Sequence, residues 1–164
     1  MDLLFLDLDG VLNAHDYDWM ADRGPHHLNE GMCRRLDRML GATGASIVLS
    51  SAWRYHIGMD RIEVWLRERG ATRARVVGRT PMGEEMGYEL GPIPFANGHK
   101  MWLGEHRGRE IQAYLDRQPG VRGFAIVEDA ADLGGLEHRC VRTKSDVGLQ
   151  DEHVDRLIAL LEGS

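Results

Sequence analysis

Five short apolar runs punctuate this chain, and most of the intervals between them carry helical periodicity. No other feature constrains the fold so strongly. The runs are LLFLDLD (3–9), ASIVLSS (45–51), RARVVG (73–78), GFAIVED (123–129) and a weaker HRCVRT (138–143). Each is of strand length, and the stronger ones are apolar throughout rather than alternating, as in strands covered on both faces. Between them, 28–44 places Leu28, Met32, Leu36, Met39 and Leu40 at helical spacing and ends in glycine. Residues 59–70 repeat the pattern through Ile62, Trp65 and Leu66, with Gly70 as the stop. Residues 109–120 close on Pro119-Gly120, and 151–163 form a terminal helix with apolar positions 154, 157, 158, 160 and 161. This alternation predicts an α/β fold, a Rossmann-like parallel sheet of about five strands with helices on both faces. With 164 residues and no repeat or composition shift, one domain over 1–164 is expected. Residues 79–106 are rich in Gly and Pro and resist assignment; a long irregular stretch of this kind is expected to border the active site.

In an open α/β sheet, ligands bind outside the carboxyl ends of the strands. Strand one ends in Asp7-Leu8-Asp9-Gly10, strand two in Ser50-Ser51 and strand four in Glu128-Asp129. A lone Asp at a strand end is usually a turn former. Four carboxylates in one crevice repel unless a cation neutralises them, and oxygen-only donors select a hard ion such as Mg²⁺. Such a site beside a hydroxyl suits phosphoryl transfer. An aspartate serves as nucleophile, and a second carboxylate two residues along protonates the leaving alkoxide and later activates water.

FLDLDGVLN, the serine of IVLSS and the acidic pair of AIVEDAADL together resemble the motifs of the haloacid dehalogenase-like (HAD) phosphohydrolases, in order and across nearly the whole chain. LSSAWR, VVGRTP, RGREIQAYL, VEDAADL and GLQDEHV look like the small HAD subgroup associated with RNA-repair and phage proteins. The resemblance implies an Mg²⁺-dependent phosphomonoesterase with Asp7 as nucleophile and metal ligand. It implies Asp9 as general acid/base with its main-chain carbonyl on the metal, and Ser50 as a hydrogen-bond donor to the phosphoryl group. Asp129 becomes a metal ligand, with Glu128 or Asp132 orienting its waters; Glu128 stands where aspartate is commoner. The basic residue of the third motif falls on Arg107 at a helix start, with Lys100 as competitor and Lys144 out of order.

Around this set, Gly10 lets the chain turn away and leaves room for phosphate. Ser51, Arg54, Arg79 and Lys100 are candidate substrate contacts. Trp53 reads as core rather than as a base-stacking platform, and His26-His27 as a polar loop; Phe95 and Trp102 suit either substrate contact or loop anchoring. Fewer than twenty residues separate Asp9 from the helix at 28, too few for a cap domain. An open crevice suits a bulky phosphoester, and the subgroup resemblance favours an RNA or DNA end. The alternatives are a phosphatase of free nucleotides or other small phosphomonoesters, and a non-catalytic phosphate-binding module. A net charge of −6 excludes a global basic footprint, so nucleic-acid binding would rest on a local patch. No run approaches the ~20 apolar residues of a membrane span, and no basic leader precedes strand one. A cytoplasmic protein with two free thiols, Cys33 and Cys140, and no implied protein partner is expected.

Overall fold

The computed structural model describes residues 1–14, 24–87, 107–130 and 133–163. Strands β1 (Asp2–Leu6), β2 (Ser46–Leu49), β3 (Val76–Arg79), β4 (Gly123–Glu128) and β5 (Cys140–Arg142) form one parallel sheet in the order β3-β2-β1-β4-β5. Helices α1 (Glu30–Thr43), α2 (Met59–Glu68), α3 (Arg107–Leu115) and α4 (Asp151–Glu162) cover it. The expected α/β architecture is therefore present. Every residue of β1 is buried, which is why residues 3–6 run apolar without alternation. Helix α1 starts at Asn29, whose side chain accepts from the Met32 amide, and stops at Gly44 in the left-handed conformation. Strand β3 begins three residues later than its apolar run suggests. The segment before it is a turn, with the Ala74 amide donating to Ala71 O and Asp37 accepting from the Arg73 amide.

Two apolar clusters, one on each face of the sheet, sort the side chains by parity. Leu4, Leu6, Ile47, Leu49, Ala125 and Val127 pack against α1, α2 and α4. Leu3, Phe5, Val48 and Ile126 pack against Ile111, with Tyr114 and Leu115 of the same helix α3 at the margin. Phe5 meets Tyr114 and Phe124 edge-to-face at 5.7 and 5.9 Å. The chain steps outward from β1 to β3 through α1 and α2, then returns across the sheet through α3 to place β4 beside β1. Right-handed crossovers put helices of opposite stepping direction on opposite faces. The reversal opens a crevice at the carboxyl ends of β1 and β4.

The stretch expected to border the site is described only as far as residue 87, where Glu84–Met86 forms a short 3-10 turn. Lys100, Phe95, Trp102 and Asp132 lie outside the described residues.

Candidate active site

One step beyond the paired strands, the face covered by α3 changes character. Leu6 is in register with Leu49 and Val127, so Asp7 follows between Ser50 and Glu128. Leu49 is in register with Arg79, which sets Thr80 beyond Ser50. Ladder hydrogen bonds carry the order one residue further: the Thr80 amide donates to Leu49 O, the Ser50 amide to Leu6 O and the Asp7 amide to Val127 O. The result is a buried row, Thr80-Ser50-Asp7-Glu128, continuing the parity of Gly78, Val48, Phe5 and Ile126. Thr80 Oγ1 and Ser50 Oγ have no hydrogen-bond partner among the described residues. Buried hydroxyls are normally satisfied. Two side by side at a ligand-binding edge are therefore suited to contact something the crevice takes up.

Carboxylate oxygens of Asp7, Glu128 and Asp129 lie within 4.8 Å of one another. Burial pushes the Asp7 carboxyl up; Arg107 pulls it back, while Asp9 and Asp129 push with burial. Burial raises Glu128 as well, reinforced by Asp7. Crowded, desolvated oxygen donors of this kind fit a hard divalent cation, which would relieve their repulsion. Asp9 is not part of this side-chain cluster among the described residues. The expectation for Asp9 as ligand concerned its main-chain carbonyl, which such a cluster does not test. Glu128 bends back on its own turn: Oε1 accepts from the amides of Asp129 and Ala130 at 3.0 and 3.3 Å. Its Oε2 lies 3.6 Å from Arg107 Nε. Burial lowers the Arg107 pKa, but the charges of Asp7, Glu128 and Glu110 outweigh it and hold the guanidinium above its ordinary value. Arg107, at the first turn of α3, is thus a cation beside the row, with its Nη1 buried and without a hydrogen-bond partner among the described residues.

Asp9 is half-buried just past this row, and its Oδ1 accepts from Trp53 Nε1 at 2.9 Å and from Asn13 Nδ2 at 3.0 Å. Asn13 Oδ1 in turn accepts from the Gly10 amide at 2.8 Å. Gly10 has φ +72°, and a Cβ there would come within 2.2 Å of Asp129 Oδ2. A glycine at this position thus lets the first-motif loop pass directly against a carboxylate of the acidic cluster.

The remaining candidates distribute differently. Arg54 is buried: its Nη1 donates to the carbonyls of Ser50 and Ser51 at 2.9 and 2.8 Å, and its Nη2 pairs with Glu110 of α3 at 2.7 Å. In this arrangement it braces the end of β2. Arg79 is held by both carboxylate oxygens of Glu85 at 2.8 Å. The Arg79 hydrogen bond is the main cause holding Glu85 down at about 2. Ser51 Oγ caps the 3-10 turn Ala52–Tyr55. His27 Nδ1 accepts from the Gly24 amide within a polar turn. Cys33 and Cys140 are free and buried, and burial pushes their thiols up to about 12 and about 11. Three participants were given no role in the site by sequence reasoning. Thr80 obeys the same strand-end rule as Ser50, and Glu110 sits one turn from Arg107. The Trp53–Asp9 bond, by contrast, spans 44 residues and leaves no local signal.

A family model described as the HAD domain in Swiss Army Knife RNA repair proteins matches residues 3–154. Comparison with curated proteins and with solved structures gives no match. The match spans β1 through the first turn of α4, and with it the whole acidic edge. The chain belongs to this family, the HAD domains of Swiss Army Knife RNA repair proteins.

Proposed function

We propose that the protein is an Mg²⁺-dependent phosphomonoesterase acting through an aspartyl-phosphate, with a nucleic-acid terminal phosphate as substrate. The family is one of RNA-repair proteins and suggests the phosphatase class. One observation carries the reading further. A buried nucleophile candidate, Asp7, stands in register beside Ser50, whose hydroxyl has no hydrogen-bond partner among the described residues, and belongs to a three-carboxylate cluster that Arg107 faces. Asp7, Asp129 and Glu128 would hold the ion, which supplies charge neutralisation to the phosphoryl oxygens when bound.

In this mechanism Ser50 Oγ and the Arg107 guanidinium orient the phosphoryl group toward Asp7. A carboxylate oxygen of Asp7 forms a bond to phosphorus as the ester P–O bond breaks. The leaving alkoxide takes the proton from the Asp9 carboxyl. Asp9, now a carboxylate, removes a proton from water; the resulting hydroxide attacks phosphorus, the P–O bond to Asp7 breaks, and inorganic phosphate leaves. Asp9 ends protonated and Asp7 ionised, ready for another turnover.

The test is hydrolysis of p-nitrophenyl phosphate, followed by a panel of 5′- and 3′-phosphorylated RNA and DNA, mononucleotides and phosphopeptides, each with Mg²⁺. Asp7→Asn is expected to lose at least about 1,000-fold in kcat. Wild-type protein inert with every divalent ion, or undiminished activity in Asp7→Asn, overturns the reading. Faster turnover of mononucleotides than of oligonucleotide ends replaces the substrate class while keeping the chemistry.

A further inference from the structure

We propose that Trp53 is a positioning residue for Asp9, fixing through its indole N–H which oxygen of the acid/base carboxyl carries the transferable proton. The inference rests on the reading of Asp9 as general acid.

Trp53 is fully buried in the larger core and meets Trp65 edge-to-face, with ring centroids 6.4 Å apart. A buried indole N–H needs an acceptor, and a main-chain carbonyl is the ordinary one. Here it donates to Asp9 Oδ1 at 2.9 Å. Asn13 Nδ2 donates to the same oxygen at 3.0 Å, while Asn13 Oδ1 holds the Gly10 amide. Two N–H donors aimed at Oδ1 occupy its lone pairs and place the proton of the neutral acid on Oδ2. The donors also differ in kind. Asn13 lies on the first-motif loop itself, four residues from Asp9. Trp53 belongs to the turn after β2, 44 residues away, and its ring is locked in the core. It therefore ties the orientation of the acid to the strand end that carries Ser50, so both act on one phosphoryl group from fixed positions. Catalytic groups lose much of their effect when displaced by a fraction of an ångström.

A positioned acid matters in proportion to how badly the leaving group needs a proton, and this separates positioning from mere packing. The experiment measures kcat/KM, which reports the step that forms the aspartyl-phosphate, for p-nitrophenyl phosphate and for the alkyl phosphate ester that the wild type turns over best. Trp53→Phe is expected to lose about 10-fold or more on the alkyl ester and to stay within about 3-fold on the aryl ester, which departs without protonation. Trp65→Phe disturbs the same aromatic pair but makes no bond to Asp9, and is expected to leave the ratio unchanged. If Trp53→Phe does not fold, Asn13→Ala, which removes the other donor to Oδ1, is expected to give the same selective loss. Asp9→Asn anchors the comparison: it must show the alkyl-selective loss in full. Equal losses on both esters in Trp53→Phe, or the same ratio change in Trp65→Phe, overturn the proposal while Asp9 keeps its role. An Asp9→Asn variant with an unchanged ratio, or an inert wild type, overturns the reading of Asp9 and this proposal together.

Discussion

At the scale of single residues, Gly10 is where backbone conformation and site chemistry meet. Its φ of +72° disfavours any side chain, and the space a Cβ would need is filled by the Asp129 carboxylate at 2.2 Å. Gly44 offers a control, since its φ of +66° is similar but nothing lies within 4 Å. Both Gly→Ala changes should cost about 1–2 kcal/mol from the left-handed backbone alone. Only Gly10→Ala should also displace Asp129, raising the Mg²⁺ concentration for half-maximal activity by about 10-fold or more, in line with losses from misplaced ligand shells. Thermal melts and Mg²⁺ activation curves for the two variants separate these effects. A Gly10→Ala enzyme with a normal Mg²⁺ requirement would show that the loop yields without moving the carboxylate.

At the scale of elements, α3 joins the site to the sheet through its first turn. Arg107 faces Asp7 and Glu128, and Glu110, three residues on, forms the buried pair with Arg54. Desolvation lowers the Arg54 pKa and the Arg107 charge lowers it further, so the Glu110 carboxylate is what keeps a buried guanidinium tolerable. Gly108 sits between them because a Cβ there would lie 2.0 Å from Leu133 O, which brings the helix start close to the loop after β4. Removing one partner of a buried ion pair strands the other charge, so Glu110→Ala should destabilise the fold by about 3–5 kcal/mol. Urea denaturation with an unchanged m-value would measure it; a loss under about 1 kcal/mol would mean that Arg54 finds water when Glu110 is gone. The strands and helices themselves were readable because apolar runs and helical spacing are local signals. Arg107 was legible only through the family resemblance, whose third motif expects a basic residue near the start of a later helix. Arg54 was not: a guanidinium just past the motif serine reads alike whether it faces a phosphate or braces the strand, and its partner lies 56 residues away. The indole of Trp53 was legible as core, but its bond to Asp9 depends on tertiary closure alone.

At the scale of the whole molecule, the reversal of strand order brings residues 7, 50 and 128 to one edge although they are far apart in sequence. That convergence could be reasoned from strand ends and the rule for open sheets. The electrostatics of the surface around it could not, because the sequence does not say which cations are already engaged. Three arginines of the described edge each have a carboxylate neighbour: Arg54 has Glu110, Arg79 has Glu85 and Arg107 has Glu128. The chain as a whole carries a net charge of −6. A protein of this charge gains little from tracking a polyanionic backbone, so a nucleic-acid substrate is expected to be held by its terminal phosphate and little else. Counterion release turns this into a slope. For a single strand, log(kcat/KM) falls with log[salt] by roughly 0.7 per phosphate contacted, so one or two contacts predict a slope between about −0.7 and −1.4. The measurement uses whichever phosphorylated oligonucleotide end the wild type turns over, between about 50 and 200 mM salt, below saturation. Rates should also change little as the oligonucleotide is lengthened beyond its terminal nucleotides. A slope steeper than about −3, or a rate that climbs with length, would require a basic track beyond these three arginines and would make the strand itself, rather than its end, the recognised object.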